Sequence, residues 1–139
     1  MTEPGSRMTS FGYGGENGLI QSQTGTSGTI VKYVYDALSR RVAKTTGGTS
    51  TYWCYDGWNP VTKYSGTEHT TGTPPALTFQ ESLLWGLDLS GTLQVAGGVG
   101  GLLSVNDYLM PLYDGNGNVV EHYTHVDGYA ANRRMFGII

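Results

Sequence analysis

Tyrosine then aspartate, a turn, and an apolar strand: the chain writes this phrase three times in full. It stands as "YVYDALSRRV" (Tyr33 to Val42), as "YWCYDGWNPVTKY" around Tyr55-Asp56, and as "LYDGNGNVVEHY" around Tyr113-Asp114. Two relics keep the frame. "FGYGGENGLI" retains Tyr13 with Gly14 in the aspartate slot, and "LLWGLDLSGTL" retains Asp88 with Leu87 in the tyrosine slot. The second positions fall at 14, 36, 56, 88 and 114, so the offsets are 22, 20, 32 and 26 residues. Offsets of that size fit one supersecondary unit of a solenoid-like or wrapped array.

Each unit reads as a β-hairpin. Tyr33 and Tyr35 alternate with Val34, the period of two that puts successive side chains on opposite faces of a strand. Aspartate opens the turn, where its carboxylate can accept from nearby backbone N–H groups, and Gly, Asn or Ser follows about three residues on. "DGNGN" (Asp114 to Asn118) is the clearest turn, because Asp-Gly and Asn-Gly supply the positive φ of tight hairpins. A second strand then leaves: Arg41 to Lys44, Val61 to Tyr64, or Val119 to Tyr123. On this reading Tyr35, Asp36, Tyr55, Asp56, Asp88, Gly91, Tyr113, Asp114, Gly115 and Gly117 are structural turn residues.

Composition agrees. Among 139 residues there are 22 Gly and 10 Tyr but only 14% charged residues, poor helix material and good strand-and-turn material. No segment has amphipathic helix spacing. The expected fold is therefore all-β, consecutive antiparallel hairpins in one curved or wrapped sheet with little or no helix. "QSQTGTSGT" (Gln21 to Thr29) and "TTGGTST" (Thr45 to Thr51) read as connectors, and "SGTEHTTGTPPA" (Ser65 to Ala76) as the longest loop, since Pro74-Pro75 excludes a helix or central strand. The organisation expected is a disordered segment over 1–10, a hairpin array over 11–126 with a loop near 65–76, and a divergent tail over 127–139.

At this point the blocks carry a resemblance. "YVYDALSRRVAKT" resembles the YD-repeat signature of the Rhs and teneurin-like superfamily, in which Tyr-Asp precedes a Gly-Arg or Gly-Asn turn. "WGLDLSGTLQVAGGVGGLLSV" and "YDGNGNVVEHY" are similar to blocks that recur in that order in Rhs-core proteins. The likeness runs from about Phe11 to Tyr123, with Ser39 standing where the family usually has Gly. It implies repeats that form a long spiralling β-sheet, a hollow shell around a toxin or an adhesive ectodomain, with Tyr35, Asp36, Tyr55, Asp56, Tyr113, Asp114, Gly115 and Gly117 in the wall. The family's Asp-Pro and Gly-Leu autocleavage pattern has no counterpart after Tyr123, so neither autoproteolysis nor a toxin carries over. What the likeness implies is a short piece of a shell, or a stand-alone relative.

Catalytic and binding chemistry is scarce. A net charge of -3 and a pI near 5.4 give no electrostatic footprint for nucleic acid. The most apolar run, Leu93 to Val105, is too short and glycine-rich to span a bilayer, and "MTEPGSRMTSFGYGG" has no secretory pattern. The compartment stays unknown, although members of the resembled family are secreted or on cell surfaces. The single cysteine, Cys54, excludes an internal disulfide, and "YWCYD" reads as strand rather than nucleophile. His122 and His125 lie three apart in a strand and so face opposite ways, His69 sits in the loop, and no metal site is expected. Asp114, Asn116 and Asn118 mimic a calcium loop until the sixth place, Val119, and the twelfth, His125. "GYGG" and "GGVGG" miss the phosphate-loop spacings.

The expectation is a non-enzymatic scaffold with no cofactor. Five or so hairpins cannot close a shell, which leaves a terminal strand free to pair with another copy or with a longer repeat protein. The alternative is a glycan- or surface-binding module in which Trp53, Trp58 and Trp85 form an aromatic face.

Overall fold

The computed structural model describes residues 9–16, 18–24, 28–126 and 129–131. It is all-β, with no helix among the described residues. The strands are β1 (Thr9–Tyr13), β2 (Leu19–Thr24), β3 (Ile30–Tyr35), β4 (Arg41–Thr46), β5 (Thr49–Asp56) and β6 (Asn59–Thr67). They continue with β7 (Leu77–Trp85), β8 (Leu102–Val105), β9 (Leu109–Tyr113), β10 (Val119–Val126) and β11 (Tyr129–Ala131). All belong to one open sheet in chain order, β1 to β11, as a run of hairpins requires. The chain divides into two compact units, Met1–Trp53 with Tyr64–Phe79, and Cys54–Lys63 with Gln80–Ile139.

In the first unit β1 pairs with β2, β2 with β3, β3 with β4 and β4 with β5, each antiparallel. β3 alternates exposed and half-buried along its length, with Tyr33 and Tyr35 on the covered side and Val34 on the open one. The stretches read as connectors are largely strand. Gln21 to Thr24 belong to β2, and of "TTGGTST" only Gly47-Gly48 turns, with φ of 58° and 81°. The reason is local: threonine is β-branched and suits a pleated ladder, and Thr45 and Ser50 face each other with their hydroxyls 2.7 Å apart and buried. Likewise β6 runs through Thr67, past the expected loop start at Ser65, so the connector is Glu68 to Ala76. β1 begins at Thr9, inside the segment expected to be disordered; residues 1–8 of that segment lie outside the described residues. So do 127–128 and 132–139 of the expected tail, while Tyr129–Ala131 pair with β10.

In the second unit β7 pairs with β8, β8 with β9 and β9 with β10. The Asp88 block does not make the expected hairpin. β7 ends at Trp85 and the next strand starts at Leu102, leaving a loop from Gly86 to Gly101. Gly91, Gly97, Gly98 and Gly100 all hold φ between 69° and 77°, a left-handed run that no strand could accommodate.

One irregularity recurs before the turns. Gly12 pairs with Gln21 and Tyr13 with Leu19, which skips Ile20; Val34 pairs with Ala43 and Tyr35 with Arg41, which skips Val42. Tyr113 pairs with Val119 and Leu112 with Glu121, which skips Val120. Each is a bulge of one extra residue, six positions after the start of the turn, and each bulged residue is β-branched and apolar. Such a bulge twists the hairpin and re-aims the side chains on either side of it.

The buried interior is thin. Ala43, at 6% exposure, and Pro111 are the buried apolar residues among those described, and the other buried side chains are polar: Thr45, Ser50, Asn59, Asp88 and Ser104. Phe11, Ile20, Val34, Leu77, Phe79 and Val120 are all exposed.

Candidate functional site

The recurring element is the aspartate turn, and its geometry can be followed atom by atom. At Asp36 the backbone closes twice: Asp36 N–H donates to the Arg40 carbonyl (3.0 Å) and Ser39 N–H to the Asp36 carbonyl (2.9 Å). The carboxylate then caps the same turn. Its Oδ1 accepts from Leu38 N–H (2.9 Å) and Arg40 N–H (3.0 Å), and its Oδ2 from Arg40 Nε (2.7 Å). An Arg40 Nη lies 2.6 Å from the same oxygen. Ser39, the departure from glycine, takes φ of 60°, a left-handed position that costs a side-chain-bearing residue about 1 kcal/mol.

Asp114 repeats this arrangement. Asp114 N–H donates to the Asn118 carbonyl and Gly117 N–H to the Asp114 carbonyl, both at 3.0 Å. Oδ1 accepts from the N–H groups of Asn116 and Asn118, and Oδ2 from Asn118 Nδ2, all at 2.9 Å. Gly117 occupies the left-handed slot with φ of 80°. The fourth residue after the aspartate is thus a side-chain donor in both turns, Arg40 and Asn118. With both carboxylate oxygens so engaged, the apparent calcium motif is a hairpin cap.

Asp88 keeps the backbone turn and extends its reach. Its N–H donates to the Thr92 carbonyl (2.7 Å), and Gly91 N–H donates to its carbonyl (2.9 Å) with φ of 73° at Gly91. Oδ1 accepts from the N–H and hydroxyl of Ser90, whereas Oδ2 crosses the loop to Ala96 N–H (2.7 Å) and Gly98 N–H (3.3 Å). One buried carboxylate therefore fixes a segment ten residues long. The other two blocks depart further. Gly14 N–H still donates to the Gly18 carbonyl (2.9 Å) but no carboxylate is present at that slot. Asp56 is the last residue of β5, and a two-residue turn follows in which Gly57 takes φ of 57°.

These contacts set the electrostatics. The Arg40 side chain holds the Asp36 carboxyl below the usual 3.8, against a partial desolvation that pushes the other way. The Ser90 hydroxyl does the same for Asp88, joined by the N–H groups of Ser90, Ala96 and Gly98. The Asn118 side chain and N–H do so for Asp114. Partial burial pushes the Tyr113 phenol up, and its O–H donates to the Leu102 carbonyl at 2.9 Å. That bond ties the tyrosine of the phrase to the neighbouring strand. Tyr35 packs its ring toward Gly18, and Tyr55 is half-buried in β5. Gly115 has open space around it.

The three tryptophans have different surroundings. Trp58 stands at a turn tip and is 58% exposed. Trp53 is half-buried, with the Arg41 guanidinium 5.2 Å from its ring and 5.8 Å from that of Tyr33. Trp85 donates its Nε1–H to the Pro60 carbonyl at 2.7 Å and lies against Gly98. Cys54 is exposed in β5. No group of three His, Cys, Asp or Glu side chains comes together among the described residues, and no helix is long and apolar enough to cross a membrane.

Sequence reasoning missed the reach of Asp88, the bulges, and Asn106, whose Oδ1 accepts from Ser82 N–H at 2.7 Å while its own N–H donates to the Ser82 carbonyl at 2.9 Å. It also missed a cavity of about 470 Å³ in the first unit, between the Gly14 turn and the Asp36 turn, with Ile20, Tyr33, Val34, Tyr35 and Ser39 in its wall. The three bulges were visible in principle as a β-branched apolar residue six places after positions 14, 36 and 114.

Antiparallel hairpins closed by a repeated aspartate cap define a structural β-repeat. The family model described as RHS Repeat matches residues 16–51, from the first turn through the Asp36 hairpin into β5. That segment, 36 of the 139 residues, is similar to a structural repeat of the YD/Rhs kind, as the Tyr-Asp block at Asp36 implied. No curated protein matches the chain.

Proposed function

We propose that the chain is a non-enzymatic wall module of a larger YD-repeat sheet, in the role of scaffold or enclosure that the resemblance suggests. One observation carries this reading: the sheet has almost no apolar interior of its own. A sheet normally buries one face against a second layer. Here Ala43 and Pro111 are the buried apolar residues among those described, while Phe11, Ile20, Val34, Leu77 and Phe79 are exposed. The aspartates supply no counter-argument, because the three lowered carboxylates are occupied as caps. The partner expected is another copy or a longer repeat protein, added along β1, which pairs with β2 alone among the described strands.

The test is light scattering behind a sizing column, with far-ultraviolet circular dichroism on the same peak, for the wild type and for Phe11→Lys on β1. A β-rich oligomer that Phe11→Lys reduces supports strand addition. A folded monomer at every concentration sinks it and turns attention to Trp58 and a glycan ligand.

A further inference from the structure

The two units treat the left-handed slot of the aspartate turn in opposite ways. In the second unit the slot is Gly117, and it is covered. A Cβ there would meet Val99 Cγ1 at 2.6 Å and Leu89 Cδ1 at 2.9 Å, so the apolar side chains of the Gly86–Gly101 loop lie directly on the turn. In the first unit the slot is Ser39, exposed at the mouth of the 470 Å³ cavity. That cavity has apolar and aromatic walls from Ile20, Tyr33, Val34 and Tyr35. Val34 is 54% and Ile20 46% exposed, so nothing in the described residues fills it. The chain thus displays both a filled and an unfilled version of one site, and the filler is a branched aliphatic side chain on a glycine-rich loop.

The same loop carries spare side chains of that kind. Leu93 is 60% and Val95 81% exposed, high values for apolar residues in a segment so tightly bonded. Val95 N–H donates to Thr92 Oγ1 at 2.9 Å, Ala96 N–H to Asp88 Oδ2 at 2.7 Å, and Gly97 N–H to the Gln94 carbonyl at 2.9 Å. The tip is held in shape before any partner arrives, which lowers the entropy lost on docking. We infer that Leu93 and Val95 of one copy seat in the Ile20–Tyr33–Val34–Tyr35 cavity of a second copy. This surface is distinct from the β1 edge. Because knob and cavity are different surfaces, the contact is heterologous and repeats head to tail.

The experiment places two variants of the full chain, Val95→Asp on the knob and Val34→Asp in the cavity wall, in a Phe11→Lys background that suppresses β1 pairing and leaves knob and cavity untouched, with circular dichroism confirming the β-rich fold of each. The Phe11→Lys parent is expected to gain mass with concentration by light scattering. Each variant alone is expected to lose that gain. An equimolar mixture is expected to recover one-to-one pairs and nothing longer, because only the knob of Val34→Asp and the cavity of Val95→Asp remain intact. A Phe11→Lys parent that stays at the mass of one chain overturns the inference. So do variants that associate as that parent does.

Discussion

Asp36 and Asp88 begin the same turn and end with different duties. Both close a backbone bond to the fourth residue and accept from the N–H two residues on. Asp36 then turns back on Arg40 within its own hairpin, and an Oδ1 bond to Arg40 N–H completes the cap. At the fourth position after Asp88 stands Thr92, whose hydroxyl is engaged with Ser90 Oγ and the N–H groups of Gln94 and Val95. The free Asp88 oxygen reaches Ala96 and Gly98 instead. The difference teaches that the turn is a backbone device with one spare acceptor. What the fourth residue offers decides whether the turn stays a hairpin or organises a loop.

The largest break in that comparison comes from Asp88→Ala. It strips acceptors from Ser90, Ala96 and Gly98 N–H at once in a buried place, where unpaired donors are costly. Hydrogen exchange should show the Gly86–Gly101 loop opening, with a larger fall in melting temperature than Asp36→Ala, whose donors are exposed or half-buried and lie within one hairpin turn. Equal falls would mean that the long-range bonds contribute nothing extra. Acid sharpens the same point. The folded values of Asp36, Asp88 and Asp114 lie below the 3.8 of the unfolded chain. Their contribution to stability is therefore complete above that pH and is lost as pH falls through the lower folded values. Denaturant unfolding followed below pH 4 should show a steady loss, flatter in Asp114→Asn. Stability that rises on acidification would contradict the caps.

Next in size is Gly117→Ala. The slot has φ of 80°, and the added methyl would stand 2.6 Å from Val99 Cγ1. Strain and overpacking together should cost about 2 kcal/mol by denaturant unfolding. The matching slot in the first hairpin tolerates Ser39 because nothing lies over it. A loss near zero for Gly117→Ala would mean that the loop does not rest on the turn, and would weaken the docking inference as well.

How far the sequence told this story depends on the range of each contact. The hairpins, their strands and the positive-φ glycines were legible because a turn is written within five residues: Asp114, Gly117 and Asn118 are enough to draw it. The connectors were misread because Thr45 to Thr51 looks polar in one dimension, although β4 and β5 pair its hydroxyls across a two-residue turn. The Gly86–Gly101 loop was misread for the opposite reason. Its aspartate announced a hairpin, and only the short hydroxyl of Thr92, where Arg40 and Asn118 offer N–H side chains, hinted otherwise. The cavity and the exposed Val95 depend on which strands lie side by side, and no local pattern encodes that.

The smallest effect is also the most direct test of the repeat as a physical unit. The Gly14 turn keeps the backbone closure to Gly18 but has no carboxylate, so Gly14→Asp should rebuild the cap seen at Asp36 and Asp114. Gly14 is not in a left-handed conformation, so an L side chain fits its backbone. The new Cβ would approach Ile20 Cγ2 at 3.3 Å, close enough to require a small shift of one bulged, exposed side chain. Against that stand an acceptor for the turn N–H groups and a narrower unfolded ensemble once glycine is gone. The net expectation is a gain of about 0.5 kcal/mol in denaturant unfolding. Gly14→Ala, which restricts the unfolded chain but adds no acceptor, separates the two contributions. If aspartate and alanine stabilise equally, the carboxylate cap adds nothing at this turn; if only aspartate does, the phrase has been completed by its one missing atom group.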